Sequence, residues 1–94
     1  AAAPATPSNL EVTEAQPGVV HVVWGGDGTE YGFDIERAHF DGTAWGGWTS
    51  WTANVDDRQL SDPTVTSGET YAYLVRAFNA VGQSDWVIET ITIS

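Results

Sequence analysis

The 94-residue chain contains no cysteine, no methionine and no lysine, and its three basic residues are all arginines. Without cysteine, neither a disulfide nor a thiolate metal site can form, so stability has to come from packing. Thirteen acidic residues give a formal net charge of −10. Nucleic acids and anionic membranes both attract basic surfaces. The composition therefore excludes nucleic acid and membrane as partners.

The chain also lacks the segments and motifs that would indicate membrane insertion, export or catalysis. No apolar run approaches the ~20 residues that span a bilayer, and no basic start precedes an apolar stretch, so no intact signal peptide is predicted. No G-x-S-x-G, phosphate loop or H-E-x-x-H occurs. His21 is expected on the outer face of a strand and His39 near a turn. We predict that this chain is not an enzyme and uses no cofactor.

Residues 1–7 differ in composition from the rest of the chain. They read AAAPATP, with small residues, two prolines and no large apolar side chain. Proline stiffens such segments and is typical of linkers. We therefore predict an Ala/Pro linker over 1–7 and one folded domain over 8–94, a usual size for a single all-β domain. A cloning remnant is the alternative for the first alanines.

The remainder consists of short runs in which apolar residues recur at every second position. Val20, Val22 and Trp24 share one face by this period, and residues 71–78 alternate in the same way. Turn residues such as those at 16–18 separate the runs. About seven runs fit, and no segment carries a helical apolar stripe. The pattern predicts an all-β fold built as a seven-stranded antiparallel β-sandwich.

Five segments carry a family resemblance. They are PSNL at 7–10, VHVVW at 20–24, FDIER at 33–37, YAYLVRAFN at 71–79 and GQSDW at 82–86. In this order and spacing the chain resembles a fibronectin type III domain of the bacterial extracellular type. The resemblance implies an immunoglobulin-like sandwich in which 20–24 is the second strand and 71–78 the sixth.

The most specific part of the resemblance is Val65 followed six residues later by Tyr71. In the family these positions form a tyrosine corner, in which the hydroxyl bonds a backbone group upstream. Ser67 stands where proline is common, and Gly68 follows as the family expects. The residues predicted to build the core or the corner are Trp24, Phe33, Ile35, Val65, Tyr71, Tyr73 and Val75.

Two features invite a binding hypothesis. Trp45, Trp48 and Trp51 form the candidate glycan-binding segment, because exposed indoles stack on sugar rings. Trp45 and Trp51 would share a face of a continuous strand, which Gly46-Gly47 can interrupt. The alternative is that Trp48 or Trp51 fills the edge of the core.

The second feature is the acidic segment containing Asp56, Asp57 and Asp62, whose oxygens suit calcium. The ion needs about six to eight converging oxygens, and no EF-hand spacing occurs. The preferred interpretation is a solvated acidic loop, so we predict no metal site.

The favoured function is a non-catalytic accessory or spacer module of a secreted multidomain protein. The resemblance suggests a bacterial polysaccharide-degrading enzyme as the parent, with neighbouring domains of the same polypeptide as partners. A carbohydrate-binding module that uses exposed tryptophans and a protein-interaction domain are the alternatives. We expect an extracellular monomer.

Overall fold

The computed structural model describes residues 2–94 and contains seven strands. Ala1, the first residue of the predicted linker, lies outside the described part. The strands are β1 (Ser8–Gln16), β2 (Val19–Gly25), β3 (Gly32–Phe40), β4 (Trp45–Asn54), β5 (Gln59–Asp62), β6 (Thr70–Phe78) and β7 (Val87–Thr92). Residues 2–94 contain no helix of the length and hydrophobicity needed to cross a lipid bilayer.

The strands form two antiparallel sheets that pack face to face. One sheet has three strands in the order β1-β2-β5, and the other has four in the order β4-β3-β6-β7. Two layers that each bury one face are the standard solution for a chain with this alternation. The predicted seven-stranded antiparallel β-sandwich is confirmed.

Alternation within single strands explains why each sheet has one buried face. In β2, Val20, Val22 and Trp24 are buried, while the residues between them are partly exposed. In β6, Tyr71, Tyr73 and the following odd-numbered residues point inward in the same way. β-Branched and aromatic side chains suit such a half-buried pleated surface. The central strands β2, β3 and β6 therefore carry most of the core.

The core is one continuous cluster between the two sheets. Trp24 packs edge-on against Phe33, with ring centroids 5.6 Å apart. The buried hydrophobic members of the cluster are Val20, Val22, Trp24, Phe33, Ile35, Val65, Tyr71, Tyr73, Val75, Ala77 and Ile93. Every residue predicted for the core or corner is among them.

Two strands differ in extent from the runs in the sequence. Tyr31 alternates with Phe33 and Ile35, yet it precedes β3 and is 66% exposed. β5 ends at Asp62, because Pro63 has no N–H to continue the ladder. β5 lies at an edge of its sheet, where a terminal proline is tolerated.

The two described ends of the chain lie at opposite ends of β6. Asn79, just after β6, donates an Nδ2 hydrogen bond to the Ala2 carbonyl at 3.0 Å. Ser67, just before β6, donates to the Ser94 carbonyl at 2.7 Å. Pro4 and Pro7 are buried, so part of the leader lies against the domain. The boundary between a linker and a domain at residue 8 stays a prediction.

Candidate functional site

A bulge in β4 decides which face of the sheet Trp45 shares with the other two tryptophans of this strand. β4 pairs with β3 in register from Asn54 to Thr49, and the register shifts between the pairs Arg37–Thr49 and His39–Gly46. Gly47 sits in this irregularity with φ +59, a conformation that glycine adopts without strain. An extra residue in one strand changes which face the following side chains occupy.

Trp51 and Trp48 are three residues apart and lie on opposite faces by simple alternation, whereas the bulge moves Trp45 to the face of Trp48. Trp51 is paired with Ile35 and packs against the core. Trp45 is 42% exposed and Trp48 57% exposed, and both lie on the outer face of the four-stranded sheet. Trp45 and Trp51 would share a face only in a continuous strand, and the irregularity at Gly46-Gly47 places them on opposite faces.

The outer face of the four-stranded sheet carries an apolar groove of about 250 Å³, which we call the Trp45/Trp48 groove. Ala38 and Ala72 form its floor, and their small side chains are buried. The larger residues along it are Trp45, Trp48, Leu74 and Ile88, with Thr90 as the one polar side chain among the described residues that line it. Phe40 supports Trp45, with ring centroids 5.0 Å apart.

Sequence reasoning missed the part of this groove that β6 and β7 supply. Leu74 and Ile88 face each other across these strands, and Ile88 is 58% exposed. Their signal was present in the alternation, because both occupy positions that should be polar on a solvated face. Strand pairing, which the sequence does not specify directly, places them beside the tryptophans.

A third indole on the outer face, that of Trp86, is covered by an arginine side chain. The guanidinium of Arg76 lies 4.3 Å from the centre of the Trp86 ring, within the range of a cation–π interaction. Arg76 Nε also donates to Asp34 Oδ2 at 3.0 Å. This arrangement, which we call the Arg76 sandwich, holds a cation between an aromatic face and a carboxylate on a partly exposed surface.

The tyrosine corner has the geometry that the resemblance implies. Tyr71 Oη accepts a hydrogen bond from the Thr66 backbone N–H at 2.9 Å. Gly68 has φ +83, so a glycine is required at that point of the turn. Val65 is buried beneath the turn. Ser67, in the place where proline is common, bonds the chain end instead.

Three groups with shifted pKa values form a hydrogen-bonded network between the sheets. Asp62 is 1% exposed and accepts hydrogen bonds from Arg37 Nη1 at 2.8 Å and Tyr73 Oη at 2.6 Å. Thr64 donates both its N–H and its hydroxyl to the other carboxylate oxygen. All donors converge on one carboxylate.

The pKa values in this network follow from burial and from these bonds. Burial alone would raise the pKa of Asp62, but the hydrogen bonds from Thr64, Tyr73 and Arg37 outweigh it and lower that pKa. Burial and the bond to Asp62 raise the pKa of Tyr73. Burial opposes the charge on Arg37, yet Asp62 raises its pKa. A perturbed group can mark an active site, but every partner here is internal, so the network joins the sheets.

The acidic residues considered as calcium ligands do not converge. Asp62 is consumed by the buried network, whereas Asp56 and Asp57 lie exposed in the turn after β4. Among residues 2–94, no group of three or more histidine, cysteine or acidic side chains is placed to hold a metal ion.

The two histidines are held by neighbouring side chains. His21 Nε2 lies 3.1 Å from Gln59 Oε1 on the exposed side of the three-stranded sheet. His39 lies inside β3, with its ring 5.2 Å from that of Tyr71, and its Nε2 is 3.4 Å from Glu69 Oε2. The last two atoms are close enough for an ion pair, although their geometry does not make a hydrogen bond.

Comparison with known proteins identifies the fold. No family model matches the sequence, and no curated protein matches it. Among solved structures, the fn3 domain of human collagen alpha-1(XX) superposes with a TM-score of 0.82 at 24% identity, over 95% of this chain and 84% of that one. The FN5 domain of Drosophila Lar superposes with a TM-score of 0.77 at 16% identity, over 97% and 98%.

A multidomain structure gives the same result. The FN1–FN3 segment of chicken CNTN1 matches with a TM-score of 0.78 and 19% identity, covering 97% of this chain and 31% of that one. The chain thus has the fibronectin type III fold and corresponds in length to a single domain of this kind.

Proposed function

We propose that the chain is an in-line, non-catalytic spacer or accessory module of a secreted multidomain protein. The observation that supports this most directly is the placement of residues 2 and 94 at opposite ends of β6. Segments joined to the two ends would leave in opposite directions rather than fold back on one another. A rigid sandwich between them would set their separation.

The rigidity comes from contacts at both ends of the domain. At one end Asn79 bonds the carbonyls of Ala2 and Thr29. At the other end Ser94 N donates to Glu14 Oε1 at 2.9 Å, and Gly68 N donates to the Ile93 carbonyl at 2.8 Å. The nine residues of β6 alone span roughly 26 Å at ~3.3 Å per residue. Neighbouring domains would therefore be kept at least that far apart.

A bacterial polysaccharide-degrading enzyme is the parent that we propose, with an extracellular location. The Ala/Pro-rich leader at residues 1–7 is typical of linkers in modular proteins, and the net charge of −10 favours solubility. The parent is inferred from the resemblance given above, since a fold by itself does not define a function.

Domain replacement in the parent polypeptide tests the spacer function. Residues 8–94 are exchanged either for an unrelated fibronectin type III domain of similar length or for a flexible Gly/Ser linker with the same number of residues. We expect the unrelated domain to preserve the parent's activity on its insoluble substrate and the flexible linker to lower it. Loss of activity with both replacements would contradict a pure spacer, because specific surface residues would then be required.

Carbohydrate binding is the second candidate function, and the exposure of Trp45 and Trp48 on one sheet face favours it. Indoles on a flat sheet stack on sugar rings. Trp51 is left out of this candidate surface, because it packs on the core. Affinity electrophoresis against chitin, cellulose, xylan and alginate tests it. Retardation that is lost in Trp48→Ala and kept in Tyr31→Ala would support glycan binding, and unretarded migration in all four gels would exclude it.

A further inference from the structure

The four edge strands of the sandwich differ in how well they are protected against pairing with another strand. Exposed edges normally carry charge or proline, which discourage such pairing. β1 carries Glu11 and Glu14, β5 ends at Asp62 before Pro63, and β7 carries Glu89. β4 has ten residues without a charged side chain or proline. Among the described edges it is the longest, and the bulge at Gly46-Gly47 is its one protection, so its in-register part, residues 49–54, is left unprotected.

The unprotected edge adjoins the Trp45/Trp48 groove. In an antiparallel pair, alternate residues of an edge strand direct their N–H and C=O groups away from the partner. β4 pairs with β3 on one side, so these groups of β4 point outward on the other. A strand added there would place every second side chain on the outer face beside Trp48 and Trp45, which belong to β4 itself.

The charge around this surface is negative and uncompensated. All three arginines are already in ion pairs, with Asp62, Glu30 and Asp34. Glu36 is paired across the sheet with Leu74, a residue of the groove, and is a diagonal neighbour of Trp48. Asp41 follows Phe40 at the other end of the groove, where the backbone N–H groups of Ala44 and Thr43 lower its pKa. The surface thus combines exposed indoles with carboxylates that lack a cation.

The protein already contains the chemistry that would fill this surface. In the Arg76 sandwich, a guanidinium lies between the Trp86 ring and the Asp34 carboxylate on the same sheet face. Arg37 repeats the pattern inside, 5.0 Å from the centre of the Tyr71 ring and bonded to Asp62. Trp48 with its diagonal neighbour Glu36 offers the same pairing of aromatic ring and carboxylate to a guanidinium from outside. Near Trp45, Asp41 adds a second carboxylate, whose Oδ1 already accepts the N–H groups of Thr43 and Ala44.

We propose that the β4 edge and the Trp45/Trp48 groove bind an extended peptide that alternates arginine with apolar residues, by adding it as a strand to the four-stranded sheet. The backbone of β4 supplies the hydrogen bonds. The indoles and the two carboxylates select arginine on the outer face. A second copy of this chain is a poor occupant, because two chains that each carry a net charge of −10 repel one another.

Three synthetic peptides of eight residues test the proposal by calorimetric titration at physiological salt. The first repeats Arg-Val, the second repeats Glu-Val, and the third repeats Arg-Gly. We expect the Arg-Val peptide to bind best. The Arg-Gly peptide, with equal charge but a weak preference for strands, should bind at least about tenfold more weakly. The Glu-Val peptide should not bind.

Matched variants separate the groove from general attraction to an acidic protein. Trp48→Ala should weaken binding of the Arg-Val peptide by about tenfold or more, whereas Tyr31→Ala, an exposed aromatic residue before β3, should leave it unchanged. Glu36→Gln should weaken binding about fivefold, and Glu11→Gln, on the other sheet, should have little effect. Thermal melting of each variant checks that it is folded.

Backbone methylation tests the strand addition itself. In a strand, alternate N–H groups face β4 and the others face solvent. N-methylation of every second residue in the Arg-Val peptide should abolish binding in one of the two methylation frames and spare it in the other. Equal effects in both frames would overturn the strand geometry.

Several other results would overturn the proposal. Equal losses in Glu36→Gln and Glu11→Gln would show attraction without a site. If Trp48→Ala binds the Arg-Val peptide as well as the parent does, the Trp45/Trp48 groove is not the binding site. Concentration-dependent dimerisation that is lost in Trp48→Ala would identify a second copy as the occupant, and glycan binding lost in that variant without peptide binding would identify a sugar.

Discussion

The two faces of the four-stranded sheet use the same residue types for different purposes. On the inner face Trp51 packs on the core, and Arg37 is bonded to the buried Asp62. On the outer face Trp48 is 57% exposed, and Arg76 pairs with Asp34 where both side chains are about a quarter exposed. The inner ion pair leaves no site for an external ligand, because both carboxylate oxygens of Asp62 accept hydrogen bonds from within the molecule.

The difference between the faces shows how a binding surface is recognised in a sandwich. Most buried polar groups of the inner face find hydrogen-bond partners inside the chain, although Trp24 Nε1 and Arg37 Nε are buried without one in the described part of the chain. On the outer face Trp45 and Trp48 stay exposed and Glu36 takes part in no ion pair among residues 2–94, beside an edge strand that lacks charge. The inner face should therefore respond to mutation through stability, and the outer face through binding.

The largest effect is expected from Trp24→Ala. Trp24 is 5% exposed and packs on Phe33, so its removal leaves a large cavity. The free energy of unfolding should fall by about 3–5 kcal/mol, most of the stability of a small domain. Chemical denaturation checks this. An unchanged unfolding midpoint would contradict the inward assignment of β2.

Asp62→Asn should cost about 3 kcal/mol at pH 7, because it leaves the buried Arg37 without its counter-charge. The folded pKa of Asp62 is lowered, so its contribution is present above the unfolded value of ~3.9 and is lost as the pH falls through the folded value. Denaturant unfolding at pH 7 and in acid should show the gap between variant and parent narrowing in acid.

Asp56→Asn is the matched control for this change, since Asp56 is exposed after β4. It alters the net charge equally and should leave stability nearly unchanged at both pH values. A difference in stability that stays constant with pH in Asp62→Asn would contradict an ionised Asp62.

The pKa of Tyr73 is raised, so the pH dependence has the opposite sign. Its contribution to the free energy of unfolding is present below the unfolded value of ~10 and is lost as the pH rises through the folded value.

A direct contrast between the faces comes from Trp51→Ala and Trp48→Ala. Trp51 is partly buried on the core, so its loss should lower the free energy of unfolding by about 2 kcal/mol. Trp48 is mostly exposed, and its loss should change the free energy of unfolding by less than about 0.5 kcal/mol. Thermal denaturation measures both. The reverse order of effects would mean that β4 is shifted by one residue in its pairing with β3.

The smallest effect is expected from Asp34→Asn. The Asp34–Arg76 pair is partly solvated, and ion pairs of this kind contribute about 0–1 kcal/mol. We expect a change in stability at the low end of this range, decreasing further with added salt. A loss as large as that of Asp62→Asn would erase the distinction between the open and the closed ion pair.

The sequence predicted the layers better than the surface. The alternation of Val20, Val22 and Trp24, with Val65 and Tyr71 spaced as in a tyrosine corner, was enough for the sandwich and its core. The face of Trp45 relative to Trp51 was not predictable, because an extra residue at Gly46-Gly47 reverses it, whereas Trp48 and Trp51 alternate as the period of two requires. The period-two rule applies only to an uninterrupted strand.

Contacts between distant segments were also beyond the reach of sequence patterns. Arg37 and Asp62 are 25 residues apart and meet because β3 and the end of β5 face each other across the core. Leu74 and Ile88 become part of a groove only through the pairing of β6 with β7. Neither pair has a spacing that a motif would reveal.

The orientation of four of the five indoles tests this account most directly. Indole N–H signals of the tryptophans, assigned with single Trp→Phe variants, are recorded by NMR with a soluble paramagnetic agent. We expect strong broadening for Trp45 and Trp48, weak broadening for Trp51 and none for Trp24. Strong broadening of Trp51 together with protection of Trp48 would contradict the two-faced sheet on which the binding proposal depends.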